Sequence, residues 1–139
     1  MKYVYWILGL VVLAGIGWLA SQSQPVINNS AVETAEVIVN SPTANSTITS
    51  PLTVSGTAVG NWYFEASFPI ELLNTSNQVV GTGLAEAQSD WMTSSPVPFN
   101  ANIIFPTQTP GSSGSLVLHK DNPSGDSQND DSFTVPVMF

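Results

Sequence analysis

The chain has 139 residues, enough for one domain and an appendage. Its net charge is −8 and its only basic side chains, histidine aside, are Lys2 and Lys120, so it offers no basic stripe to nucleic acid or to the face of an anionic membrane. The lack of cysteine excludes a disulfide framework, a thiolate metal site and a cysteine nucleophile, and the single histidine, His119, excludes a multi-histidine zinc site.

The first element is apolar. "KYVYWILGLVVLAGIGWLA" runs from Lys2 to Ala20 and carries no charge from Tyr3 onward. A helix crossing the hydrocarbon core needs roughly 20 apolar residues, whereas a signal peptide has an apolar region of about 7–15 residues followed by a small-x-small cleavage site. No such site follows Trp18 and Leu19. The expectation is a retained transmembrane anchor over residues 1–20, with a signal sequence as the alternative. Tyr3, Tyr5, Trp6 and Trp18 sit near the ends of the run, where their rings suit the headgroup zone, and Lys2 orients the N-terminus to the cytoplasm and the remainder outside. Residues 21–35 are polar, contain Pro25 and two adjacent asparagines, and read as a flexible linker.

From Glu36 to Phe139 the apolar period is two. Strands are expected at Glu36–Asn40, Leu52–Val59, Phe64–Leu73, Val79–Ala87, Val97–Phe105, Ser115–Lys120 and Phe133–Phe139. The inward positions are Leu52, Val54, Gly56 and Ala58; Phe64, Ala66, Phe68, Ile70 and Leu72; Val97, Phe99, Ala101, Ile103 and Phe105; then Phe133, Val135, Val137 and Phe139. Turn signals such as "NSPTANS", "NTSNQ" and "PTQTPGSSGS" separate them. About seven short strands with no helical stretch predict an all-β, immunoglobulin-like sandwich over 36–139, since two facing sheets hide such faces where one cannot. Pro69 and Pro136 each remove a ladder donor and belong on an edge or at a bulge.

"SPLTVSGTAVGNWYFEASFPIELLN" (Ser50 to Asn74), "DWMTSSPVPFNANIIF" (Asp90 to Phe105) and "LVLHKDNPSGDSQNDDSFTVPV" (Leu116 to Val137) together resemble the bacterial spore-germination immunoglobulin-like domain. The resemblance covers nearly all of 36–139. It implies an immunoglobulin-like fold on a bacterial envelope protein and brings no catalytic residues. With the anchor, it gives an expected location: a single-pass protein of the bacterial cell membrane, N-terminus cytoplasmic and domain extracytoplasmic.

The acidic stretch Lys120–Ser132 invites comparison with a calcium loop. An EF-hand needs glycine at its sixth position and glutamate at its twelfth. Counted from Asp121 these are Asp126 and Ser132, so the stretch reads as a solvated turn rather than a metal site. Glu65 and Glu71 are six residues apart on one expected strand, roughly 20 Å, too far for the carboxylate pair of a glycosidase. His119 has no second histidine or serine to work with and reads as an ordinary surface residue. Trp62, Tyr63 and Trp91 are the only large aromatics beside loops and are the candidate ligand contacts, Trp62 as the exposed ring and Trp91 as a cover over the core. No nucleophile–base pair, metal set or phosphate loop stands out. The expected protein is therefore not an enzyme and needs no cofactor. It is a membrane-anchored interaction module for an envelope protein or cell-wall glycan, or alternatively a structural spacer or assembly subunit without a dedicated ligand.

Overall fold

The computed structural model describes residues 35–139. The anchor expected over 1–20 and the linker expected over 21–35, apart from Ala35, lie outside the described residues. Among the described residues no helix is long and apolar enough to cross a membrane.

Seven strands follow in chain order: β1 (Val37–Ser41), β2 (Leu52–Val59), β3 (Ser67–Leu73), β4 (Val79–Ala87), β5 (Pro96–Ile103), β6 (Ser113–His119) and β7 (Ser132–Met138). They hydrogen-bond in the order β1-β2-β5-β4-β3-β6-β7, every neighbour antiparallel. The β4–β5 ladder is only two pairs long, Glu86 with Asn100 and Ala87 with Phe99. The sheet folds over at that seam into two layers, β1-β2-β5 and β4-β3-β6-β7. Phe68 of β3 meets Phe99 of β5 across the layers, ring centroids 5.1 Å apart. This is an immunoglobulin-like sandwich in which the fourth strand has joined the second layer instead of the first.

The alternating pattern explains the core. Leu52, Val54 and Ala58 of β2, Phe68, Ile70 and Leu72 of β3, Val97, Phe99, Ala101 and Ile103 of β5, and Leu116 and Leu118 of β6 are all buried. No polar or charged side chain is buried among the described residues. Along β4 the inward positions are Gly81, Gly83, Ala85 and Ala87. A Cβ on Gly81 or Gly83 would lie under 3 Å from the Ile103 side chain, so their bareness lets β4 lie close against β5. The other side of the sandwich is closed in its lower half. There the chain between β1 and β2 runs beside β7, with Ile48 N–H donating to the Met138 carbonyl (2.8 Å) and Asn45 N–H to that of Pro136 (2.7 Å).

Three expectations need correction. The third strand begins at Ser67, not Phe64. Phe64 and Ser67 exchange backbone hydrogen bonds of 3.0 and 3.1 Å across Glu65 (φ 49°) and Ala66 (φ 64°), a two-residue type I′ turn. Phe64 is consequently 41% exposed instead of inward. Phe133, also expected inward, is 38% exposed because it lies near the open upper half of β7's free edge. Pro69 is not on an edge strand, since β3 lies between β4 and β6. The β6 ladder starts only at Ile70, however, so at Pro69 the strand has one partner. Pro136 lies on β7, the outermost strand of its layer.

Candidate interaction site

Antiparallel strands send alternate loops to opposite ends. The loops β2–β3 (60–66), β4–β5 (88–95) and β6–β7 (120–131) gather at one end, where the described chain also enters at Ala35. They are tied to one another. Asp121 N–H donates to the Trp62 carbonyl at 3.0 Å. Gly60 packs on the backbone of the β4–β5 loop so closely that a Cβ there would stand 1.9 Å from the Thr93 carbonyl oxygen and 2.3 Å from that of Trp91.

Trp62 does not face solvent there. It is 2% exposed, its indole meets Phe68 edge to face at 5.9 Å, and its Nε1–H donates to the Glu36 carboxylate at 3.0 Å. The reading of Trp62 as the exposed ring is thus overturned. The short 3₁₀ turn Gly60–Trp62 swings the side chain under the end of the sandwich, and Glu36, at the start of β1, supplies the partner a buried N–H requires. Tyr63 is 4% exposed, packs on Phe68 at 5.0 Å and donates its hydroxyl to the Val97 carbonyl at 2.8 Å. Trp91 is half-buried and packed against the core.

Burial pushes the Tyr63 hydroxyl up from 10.0 to about 12, against a smaller opposite pull from the Ala58 amide. Folded and unfolded chains both hold the proton below pH 10. Between pH 10 and about 12 the unfolded chain releases it first, so stability falls as pH rises through this window. Thermal unfolding followed to about pH 12 should therefore show a steeper alkaline loss in the wild type than in Tyr63→Phe. Equal slopes would contradict the assignment.

The exposed apolar groups on the loops of this end are Phe64 and Met92, the latter 76% exposed; Phe133 near the start of β7 and Ile38 near the start of β1 are exposed at the same end. The type I′ turn that presents Phe64 has no glycine or asparagine in it. Each left-handed non-glycine residue costs about 1–2 kcal/mol, strain of a kind that concentrates at functional sites. Nothing in "FEAS" signals that turn, which is why the sequence hides Phe64. The three loops also carry the carboxylates Glu65, Asp90, Asp121, Asp126, Asp130 and Asp131 and one basic side chain, Lys120.

The acidic loop uses its carboxylates internally. Asp126 accepts from Gln128 N–H at 3.0 Å, Asp130 from the Asn122 amide at 2.7 Å, and Asp131 from Ser132 N–H at 2.8 Å. These are the turn bonds that short polar side chains make. Among the described residues no group of three or more His, Asp or Glu converges as metal ligands. Glu65 and Glu71 are not brought together: Glu65 sits in the turn, and Glu71 lies mid-sheet with His119 Nε2 at 3.1 Å from its carboxylate. His119 thus has a partner that sequence reading missed. Glu71 pairs with Val117 across β3 and β6, and only that register puts His119, two residues on, beside it.

The segment 36–127 matches the family described as the immunoglobulin-like domain of bacterial spore germination. The chain belongs to that family. β7 lies beyond the matched segment and completes the second layer of the spore-germination immunoglobulin-like domain. Comparison with curated proteins and with solved structures gave no significant match.

Proposed function

We propose that this protein is a non-catalytic interaction module of the bacterial envelope. An anchor over residues 1–20 holds it in the cell membrane, with the domain outside. It engages a protein partner through its three-loop end. The observation that carries this reading is the exposure of Phe64 and Met92 on two loops of one end, an end whose three loops also carry six carboxylates. Such a surface suits a partner with an apolar spot framed by lysine and arginine, and loop ends of sandwiches are where immunoglobulin-like domains commonly place recognition. Burial of Trp62 and Tyr63 supports a second reading, a spacer with no dedicated ligand, because it removes the largest rings from the surface.

A photo-crosslinking residue at Met92, in the full chain in cells, separates the two. The expected result is a discrete adduct with an envelope protein. It should weaken as salt rises and disappear in Phe64→Asp. That exposed change should shift stability by only about 0.5 kcal/mol. Adducts no different from those of a crosslinker at Ser55, on the outer face of β2, would favour the spacer.

A further inference from the structure

The loops at the opposite end of the sandwich, residues 42–51, 74–78 and 104–112, carry no ionisable side chain, in a chain of net charge −8. A cavity of about 280 Å³ opens there. Its floor is Ile48, Phe105 and Phe139, with the two rings edge to face at 5.7 Å. Its rim is neutral and polar: Thr49, Thr107 and Gln108. The hydroxyls of Thr49 and Thr107 have no partner among the described residues, and the Gln108 amide donates only to the neighbouring carbonyls of Pro106 and Thr107.

The cavity walls are fixed. Gly111 N–H donates to the Phe139 carbonyl at 2.6 Å, Phe139 N–H to Ser112 at 2.9 Å, and Phe105 N–H to the Ser50 hydroxyl at 3.1 Å. The Phe139 ring lies against Gly114, where a Cβ would come within 2.5 Å of it. A preformed hollow with an apolar floor and a few convergent polar groups is how small-ligand sites are built, and this one falls near the lower end of their range of about 300–1,000 Å³.

We propose that this cavity binds one neutral sugar unit of a polysaccharide. A carboxylate or phosphate would lose its water there and meet no cationic side chain. A purely apolar group, or a proline ring, would strip water from the Thr49 and Thr107 hydroxyls without replacing its hydrogen bonds. A pyranose satisfies both parts, setting its C–H face on the rings and its hydroxyls against Thr49, Thr107 and Gln108. The site is independent of the three-loop end and stands or falls separately from it.

The test is amide chemical-shift perturbation of the full-length protein in a detergent without a sugar headgroup. The probes are tetramers of N-acetylglucosamine, glucose and galacturonate, and a proline-rich decapeptide. The expected result is saturable shifts of Thr49, Thr107 and Gly111 with a neutral tetramer, and none with the galacturonate tetramer. The double variant Thr107→Ala/Gln108→Ala should lose at least about tenfold in affinity with an unchanged melting temperature, since both substitutions are on the surface. Three results would each overturn the proposal: no saturable shift at about 10 mM neutral sugar, a concentration above the weak affinity a single ring-sized ligand can reach, a response to the peptide alone, or undiminished binding by the double variant.

Discussion

Trp62→Ala is expected to cost the domain about 3–5 kcal/mol, the range for truncating a large buried aromatic. The ring is 2% exposed and touches Phe68, itself wholly buried and in contact with Tyr63 and Phe99. Its removal opens a hole at the head of that aromatic cluster and leaves Glu36 without the indole it holds to β1. In a domain of roughly 100 residues each kcal/mol moves the melting temperature by about 4–8 °C, so the midpoint should fall by at least about 12 °C. Trp91→Ala, at a half-buried position, should cost less. A Trp62→Ala protein melting within a few degrees of wild type would show that the ring is a surface group after all.

Gly56→Ala should be the most damaging single added methyl group in the strands. Its Cβ would stand 2.0 Å from the Ile38 carbonyl oxygen of β1 and 2.9 Å from the Phe99 ring. The oxygen belongs to backbone and cannot rotate away, so β1 must shift outward, break its ladder with β2 and drag Val37 out of the core. Overpacking of this kind typically costs about 1–3 kcal/mol, and we expect the upper end. Gly125→Ala is the control. It has open space around it and only its φ of 68° to pay for, about 1–2 kcal/mol. Thermal unfolding of both variants checks the order; Gly125→Ala proving the worse would contradict this packing at Gly56.

Much of this architecture was legible because alternation and burial coincide. Period alone places Val97, Phe99, Ala101, Ile103 and Phe105 inward, and all five are buried. Val79–Ala87 was bounded by its flanking turns and matches β4. The failures share a physical cause: they depend on what lies across the fold. Gly56 sits on the inward face of "LTVSGTAV", but only the position of the Ile38 carbonyl explains why no side chain fits. Trp62, beside Gly60 and Asn61, reads in sequence as a loop residue. Its burial depends on Phe68 and Glu36, which are 6 and 26 residues away in sequence. The Glu65–Ala66 turn has no turn residues, so alternation carried Phe64 into the core. No motif marks the cavity: its sequence signal is an absence of ionisable side chains spread over three separate loops.

The separation of charge along the sandwich gives the domain a permanent electric dipole. All its ionisable side chains lie at or beyond the level of Glu71 toward the loop end. Close to any negatively charged surface, within about 8 Å at physiological salt, the molecule experiences a torque that turns the end without ionisable side chains inward and the acidic end away. The torque should weaken as salt rises and shortens that distance.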